Sequence, residues 1–253
     1  MTIVQGTLAS AERLRWLSER LTAAGSVTIT AAAEALAVSE MTIRRDLAEL
    51  EARGTARRVR GGARATGPQT FAERHSTAGR AKSRIAAKLA DLVPAVGTIA
   101  FDASSTVLRL CSGLGEARDL TILTNGPDTF AALQGQPGVT ALLTGGRLEK
   151  RTGSLVGPLA CRAAAQFTVQ TFFASAAAVD AEVGTLEATL EEAEVKRSVA
   201  VGAGEVVLAV DSSKLVGRGM AVGFEWDRVD VLVTELEPGD ERLAAYRDLA
   251  QLL

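Results

Sequence analysis

The chain has 253 residues, of which 47% are hydrophobic and only 4% are aromatic, and its formal net charge is −2. This length accommodates two domains with a substantial aliphatic core. The single histidine, His75, and the two isolated cysteines, Cys111 and Cys161, argue against a histidine-based metal site, a Ser-His-Asp triad and a disulfide. No apolar run reaches membrane-spanning length, so we expect a cytoplasmic protein without a membrane segment. We also expect neither a bound metal nor a cofactor.

The first 38 residues contain two predicted helices. A leucine stripe from Leu14 to Leu21 predicts a helix that ends at Gly25. The alanine-rich stretch 30–38 predicts a second helix, which runs directly into a short turn. Two helices joined by so short a turn are typical of a helix-turn-helix when the following helix presents polar donors.

A third helix is predicted over residues 40–53. Its apolar positions, from Ile43 to Leu50, form one narrow stripe at the helical period. Ser39 is suited to cap its amino end, and Gly54 stands where a left-handed residue would follow its last turn. The stripe defines the buried face, and the remaining side chains face outward.

The outward face of this third helix carries Thr42 and the arginine pair Arg44 and Arg45. Such a pair is common on a solvated helix, where Arg45 could bind Glu49 one turn on. The stretch that follows, TARRVRGGAR, predicts a basic hairpin or wing around a Gly-Gly pair. Residues 1–64 hold ten arginines against seven acidic residues, whereas the rest of the chain is acidic, which favours phosphate binding at this end alone.

The string VSEMTIRRDLAELEARG, followed by RRVRGGA, resembles the amino-terminal winged helix-turn-helix of the DeoR family of bacterial sugar-metabolism repressors. Ala32 departs from the family, which has a larger aliphatic residue in the second helix. The resemblance implies that the chain binds double-stranded operator DNA. The residues implied in DNA binding are Ser39, Thr42, Arg44, Arg45, Arg58 and Arg60.

Beyond a polar stretch at 66–80, which we interpret as a linker, the pattern becomes that of an open α/β sheet. The domains are therefore expected at 1–65 and 81–253. A helix is predicted at 81–93. The predicted strands are 98–102, 120–125, 139–146, 171–177, 205–211 and 229–235.

Polar residues follow several of these strands, at the sheet edge where α/β proteins bind ligands. After the first strand, FDASST places hydroxyl groups at the start of a predicted helix, where an anion such as phosphate is favoured. Each group alone is more often a helix cap than a ligand site. Their recurrence at successive strand ends favours a binding site.

This second region resembles the DeoR effector domain, which is similar in fold to ribose-5-phosphate isomerase and binds phosphorylated sugars. Gln170, Ser175 and Ala178 depart from the family pattern, and their side chains would narrow one edge of the pocket. The implied effector-binding residues are Lys82, Asp102, Ser104, Ser105, Thr106, Thr124, Asn125, Gly145, Gly146, Lys196, Asp211 and Lys214.

Three hypotheses follow from the sequence. The first is a transcriptional regulator, expected to be a homodimer or homotetramer, that leaves its operator when a phosphorylated sugar binds. The second is an isomerase that uses Asp102, Asp180 and Lys214 for proton transfer. The third is a DNA-binding protein with a vestigial effector site. The winged helix favours the first hypothesis. We therefore assign no catalytic residue and do not expect an enzyme.

Overall fold

The computed structural model describes residues 10–52, 56–65, 70–215 and 219–253, without the side chains of residues 22 and 23. The chain divides into two compact units at the peptide bond between Glu73 and Arg74. Gly54, predicted to follow the third helix, and the start of the predicted linker at 66–69 lie outside the described residues. Within the described ranges, no helix is long and apolar enough to cross a membrane.

The first unit is a winged helix-turn-helix, as predicted. Its three strands form one antiparallel sheet in the order β1-β3-β2. Its elements are α1 (Ser10–Ala24), β1 (Ser26–Thr28), α2 (Ile29–Leu36), α3 (Glu40–Ala52), β2 (Ala56–Val59) and β3 (Gly62–Ala65).

The core of the first unit contains the predicted leucine stripe of α1 and the apolar stripe of α3. The small side chain of Ala32 is fully buried on α2. Beside it lies a surface cavity of about 260 Å³, which is also lined by Trp16 and Arg20.

In chain order, the stretch predicted as a linker contains helix α4 (Phe71–Ser76) and the beginning of helix α5 (Gly79–Ala90). A capping box starts α4, because the backbone N–H of Glu73 donates to Thr70 Oγ1 at 3.2 Å and its carboxylate accepts the N–H of Thr70 at 2.8 Å. The chain is therefore helical where it passes from one unit to the other.

The second unit contains helices, short 3₁₀ segments and the remaining strands. The 3₁₀ segments are Val107–Gly113, Ser212–Lys214, Trp226–Arg228 and Glu241–Tyr246. In chain order, the elements after α5 are β4 (Val96–Phe101), β5 (Asp119–Thr124), α6 (Pro127–Leu133), β6 (Val139–Leu143), β7 (Arg147–Glu149), β8 (Ser154–Val156), α7 (Pro158–Ala164), β9 (Val169–Ala174), β10 (Ala178–Asp180), β11 (Gly184–Glu187), α8 (Leu190–Val201), β12 (Ala203–Ala209), β13 (Ala221–Val222), β14 (Val231–Val233) and β15 (Gln251–Leu252).

Seven of these strands form a parallel sheet in the order β15-β14-β12-β9-β4-β5-β6. All six predicted strands belong to it, and β15 is an additional edge strand. Neighbouring residues point to opposite faces, so Phe172 and Phe173 enter two different hydrophobic clusters. Both faces are covered, as is usual for a parallel sheet.

The strand order reverses between β4 and β9. From β4 the chain proceeds outward through β5 and β6, whereas from β9 it proceeds the other way through β12, β14 and β15. The carboxyl ends of β4 and β9 therefore border the topological switch point, which is where open α/β sheets bind their ligands. Asp102 follows β4 and Ser175 follows β9.

Candidate DNA-binding surface and effector site

The amino end of α3 is capped as the sequence predicts. The Ser39 hydroxyl accepts the backbone N–H of Thr42 at 3.2 Å, and the two hydroxyl oxygens lie 3.0 Å apart. The preceding helix ends at Ala37, which has a left-handed conformation with φ of 52°. A tight turn followed by a cap fixes the start of α3 relative to α2.

The two arginines of α3 are both exposed. Arg44 binds Glu40 one turn earlier, with 2.9 Å between Nη2 and Oε2. An ion pair between Arg45 and Glu49 does not form within the described residues. An exposed pair such as that of Arg44 contributes little to stability, so both guanidinium groups remain suited to bind an anionic partner.

The buried face of α3 carries one charged residue, Asp46, which is 2% exposed. Its two carboxylate oxygens accept from Arg13 on α1, with distances of 2.8 Å to Nε and 3.1 Å to Nη2. This bidentate pair fixes both separation and angle, because two parallel N–H groups of the planar guanidinium meet the two carboxylate oxygens. Hydrogen bonding to the Asp46 carboxylate raises the pKa of Arg13.

The β2–β3 hairpin forms the predicted basic wing. Gly61 occupies its turn with φ of +84° and follows the exposed Arg60. A side chain at Gly62 would lie 2.1 Å from the Val27 carbonyl oxygen, so only glycine allows the hairpin to approach β1. Arg58 is also exposed, and its Nε binds Glu51 of α3 at 2.6 Å. The wing is thereby joined to the helix that carries the other predicted DNA-binding residues.

In the second unit, Asp102 bridges the two strand ends at the switch point. One carboxylate oxygen accepts the backbone N–H of Ser104 at 3.0 Å, and the other accepts that of Ser175 at 2.9 Å. The Ser104 hydroxyl accepts the N–H of Val107 at 3.1 Å and so starts the following 3₁₀ segment. The loop 102–106 is therefore held from both strands.

Lys82 contacts this loop, and three further cations lie close enough for their charges to act on this lysine. We call the four the basic cluster: Arg74, Lys82, Arg109 and Lys214. Lys82 is 4% exposed and donates to the Ser105 hydroxyl at 3.0 Å. It also donates to the backbone carbonyl of Arg74. Asp211 is the carboxylate that interacts with both lysines of the cluster.

The pKa of Lys82 is lowered to about 8, chiefly by burial; Asp211 opposes this shift, whereas the positive charges of Lys214, Arg74 and Arg109 add to it. Burial also lowers the pKa of Lys214. A buried excess of positive charge is unfavourable unless an anion compensates it. The basic cluster is thus suited to bind a small anion beside the hydroxyl groups of residues 104–106.

A second group of charges lies deeper, and we call it the buried ion cluster: Asp102, Glu187 and Lys196. The Lys196 ammonium donates to the Ser175 carbonyl at 2.6 Å and to Glu187 at 2.9 Å, and it lies 3.2 Å from Asp102. Two of its three N–H groups therefore have an acceptor within the protein, and Asp102 adds an ion pair. Burial lowers the pKa of Lys196, but the carboxylates of Glu187 and Asp102 outweigh it and raise the pKa above its ordinary value.

Two members of the buried ion cluster, Asp102 and Lys196, are predicted effector-binding residues. Their side chains join the ends of β4 and β9 to α8. Glu187 was assigned no function in the sequence. Burial raises its pKa to about 7, and its Oε1 is buried without a hydrogen-bond partner among the described residues.

The other predicted strand-end residues also form contacts within the protein. Thr124 accepts a backbone N–H two residues on at 3.0 Å, and the Asn125 amide donates to a carbonyl of β8 at 3.2 Å. Gly145 and Gly146, with φ of +69° and +116°, turn the chain from β6 into β7. Asp211 accepts the N–H of Ser213 at 3.1 Å and caps the 3₁₀ segment that carries Lys214.

Two residues of the basic cluster were not proposed as site residues from the sequence. Arg74 lies in the stretch interpreted as a linker, and Arg109 lies in a segment read as an ordinary helix. Arg74 matches the DeoR effector-domain pattern, whereas Arg109 is only a basic side chain close in sequence to the candidate residues 104–106. Asp46 carried a clearer signal, since an acidic residue between Ile43 and Leu47 stands on the apolar face of α3.

Family models match both units. The DeoR-like helix-turn-helix domain matches residues 13–69, and the DeoR C terminal sensor domain matches residues 77–236. The chain belongs to the DeoR family. The family resemblance of the sequence is thus confirmed over most of the chain, and the basic cluster lies within a DeoR sensor domain apart from Arg74.

Several curated DeoR-family relatives are similar over nearly the full chain. The chain is 30% identical to the HTH-type transcriptional regulator GlpR of Haloferax volcanii, over 89% of each chain. It is 28% identical to the glycerol-3-phosphate regulon repressor of Escherichia coli, over 85% of this chain and 86% of the relative. It is also 28% identical to the lactose phosphotransferase system repressor of Streptococcus mutans, over 94% and 98%.

Among solved structures, ribose 5-phosphate isomerase from Plasmodium falciparum matches with 17% identity and a TM-score of 0.38. The match covers 53% of this chain and 51% of the isomerase, so it spans about half the length of that enzyme. Ribose 5-phosphate isomerase A from Neisseria gonorrhoeae matches with 19% identity and a TM-score of 0.35, over 53% and 52%. These structures are distant neighbours in fold.

Proposed function

We propose that this protein is a sequence-specific regulator of carbohydrate genes that leaves its operator when a phosphorylated sugar or a similar small anion binds. We further propose that residues 1–65 bind DNA, that 66–80 connect, and that 81–253 sense the effector and assemble the protein. The observation that carries the sensing proposal is the buried Lys82 bonded to Ser105 within the basic cluster. A regulator of this kind acts in the cytoplasm, associated with the nucleoid.

The DNA-binding proposal rests on the exposed face of α3 and on the wing. Arg44, Arg45 and Arg58 are exposed on adjoining elements, with Thr42 beside the cap. We assign Arg45 to base contact, since it has no ion pair to break among the described residues. Arg58 and Arg60 are assigned to the phosphate backbone. One α3 reads one half-site, so a homodimer or homotetramer on a two-fold operator is proposed.

Two features of the site do not support an isomerase. Asp102 and Asp180, the carboxylates considered for proton transfer, accept backbone N–H groups and thereby fix turns. Lys214 has a nearby carboxylate in Asp211, but the basic cluster offers no second acceptor for a substrate proton. The named relatives are transcriptional regulators. We therefore propose binding without turnover.

The test of the DNA interface is a genomic footprint of the purified protein, followed by titration of the recovered operator. Arg45→Ala should lose about 1–3 kcal/mol of discrimination at one base pair, which is the value of a bidentate arginine contact. Arg58→Ala should weaken all sequences alike and reduce the salt slope by about one. Arg118→Ala, an exposed arginine of the second unit, is the matched control. Unchanged operator affinity in Arg45→Ala would remove α3 from the groove.

The test of sensing is the same titration with a panel of sugar phosphates. Release requires that the effector bind one conformation better than the other, and a hundredfold difference corresponds to about 2.7 kcal/mol. Lys214→Ala should bind operator normally and respond weakly, whereas Lys150→Ala, an exposed lysine, should respond like the wild type. If no phosphorylated metabolite releases the wild type, the vestigial-site hypothesis replaces this one.

A further inference from the structure

Two hydrogen bonds from the basic cluster end on backbone carbonyls at the carboxyl end of α4. Lys82 donates to the backbone carbonyl of Arg74, and Arg109 Nη2 donates to that of His75 at 3.2 Å. The Arg74 guanidinium in turn donates to the carbonyl of Thr152 at the tip of the β7–β8 hairpin. The last turn of α4 is therefore held by the side chains that surround the candidate anion site.

Helix α4 lies where the chain passes from one unit to the other, so these bonds act on the connecting segment. The chain passes from the first unit to the second within this helix, between Glu73 and Arg74. Thr70 and Glu73 form the capping box on one side of that point, and Lys82 and Arg109 hold the carbonyls on the other. Any change in the two cations acts directly on the segment that joins the units.

Lys82 takes part in both the anion site and the contact with α4. Its ammonium has three N–H groups, one of which donates to Ser105 and another to the Arg74 carbonyl. A phosphate oxygen is charged, and hydrogen bonds between ionised groups are shorter and about twice as strong as those to a neutral carbonyl. The third N–H of Lys82 is available to an anion beside Ser105, and the attraction between the two charges draws the ammonium away from the Arg74 carbonyl.

Arg109 is also in an arrangement that an anion would improve. Its Nε is buried and has no acceptor among the described residues. A buried N–H without an acceptor is unfavourable, and movement toward a bound oxyanion would supply one. The mutual repulsion of Lys82, Arg109 and Lys214 would decrease at the same time.

We propose that Lys82 and Arg109 form a latch on α4, and that an anion bound at residues 104–106 opens the latch by drawing both cations away from the carbonyls of Arg74 and His75. This inference rests on the proposed sensing function, because it assigns the route by which the occupied site acts on the segment that leads to the DNA-binding unit. The direction is release: α4 is held without the anion and loosened with it.

Hydrogen–deuterium exchange of the full-length protein tests the latch at the amides of residues 71–78. The probes are inorganic phosphate and glucose 6-phosphate, with glucose as the uncharged control, and binding is measured separately by calorimetry. Saturation with a binding probe should accelerate exchange of these amides roughly fivefold, the effect expected for loss of one or two ordinary hydrogen bonds. Exchange in β4 and β9 should not accelerate.

Two variants separate the latch from the site. Arg109→Ala should accelerate exchange at 71–78 by a similar factor without any probe, whereas Arg84→Ala, which removes an exposed arginine of α5, should not. Lys82→Met should do the same as Arg109→Ala and should abolish the response to phosphate. Unchanged far-UV circular dichroism would show that each variant is folded.

The outcomes distinguish the two proposals. If a probe binds the wild type and exchange at 71–78 is unchanged or slower, the latch is wrong and the sensing site stands. If Arg109→Ala exchanges like the wild type, the latch is also wrong, whether or not a probe binds. If no probe binds while Arg109→Ala accelerates exchange, the contact with α4 is real but its control by these anions is wrong, and the operator titration with the full panel of sugar phosphates decides the sensing proposal separately.

Discussion

Glu187 provides the sharpest test of the buried ion cluster, through the substitution Glu187→Gln. Burial raises the pKa of this carboxyl to about 7, above the 4.5 of the unfolded chain. Between these values the folded protein holds a proton that the unfolded chain has lost, so the stability of the second unit falls as pH rises through this window. Glutamine cannot ionise, and the fall contributed by Glu187 should disappear in the variant.

The expected magnitude follows from the difference between the two pKa values. One pKa unit corresponds to about 1.4 kcal/mol, so wild type and variant should differ in pH dependence by about 3 kcal/mol across the window. At about pH 5, where Glu187 is protonated, glutamine is nearly isosteric and stability should hardly change. At about pH 8 the variant should be the more stable protein, although Lys196 then has one carboxylate fewer.

The assay is urea unfolding across this pH range, followed by the fluorescence of Trp226 in a Trp16→Phe background, so that the second unit alone is reported. The matched control is Glu194→Gln, which makes the same substitution at an exposed position of α8. Parallel stability curves for wild type and Glu187→Gln would refute the reasoning. So would a variant that is less stable by an equal amount at every pH.

Three further predictions concern other sites. Asp46→Asn removes the charge bound by Arg13 and should destabilise the first unit by about 2 kcal/mol in chemical denaturation, whereas the double substitution Arg13→Met with Asp46→Leu should restore most of the loss. Ala32→Leu adds three buried carbons beside the 260 Å³ cavity and should raise the stability of the first unit by about 1–2 kcal/mol, and a destabilised variant would show that the cavity cannot take a larger side chain. Because Lys82 loses its proton near pH 8, phosphate affinity measured by calorimetry should fall as pH rises through that value, by up to about tenfold per pH unit, and a flat profile would remove Lys82 from the anion site.

The sequence predicted those helices and strands that are determined by residues close together in the chain. The Ser39 cap, the stripe from Ile43 to Leu50 and the β-branched runs of the central strands each depend on residues close together in the chain. Strand ends were less well predicted where glycine decides them. The run at 139–146 stops at Leu143 because Gly145 and Gly146 adopt positive φ.

The parts that sequence did not predict depend on distant residues or carry too little pattern. Strand β15 has only two residues and is defined by pairing with β14. The buried ion cluster brings together Asp102, Glu187 and Lys196 from three separate parts of the chain. Their spacing in the sequence does not predict that contact. The same holds for the basic cluster, since Arg74 and Arg109 become site residues only when α4 and the 3₁₀ segment 107–113 converge on Lys82.

The two faces of α3 are under separate physical control. The inner face, with the Arg13–Asp46 pair, sets the angle of the helix, whereas the outer face with Arg44 and Arg45 contributes little to folding. If this face reads the operator as proposed, substitutions on it should change operator preference with little effect on stability. During divergence of such regulators, new binding sites on the chromosome can be acquired one side chain at a time, while the orientation of the reading helix is inherited unchanged.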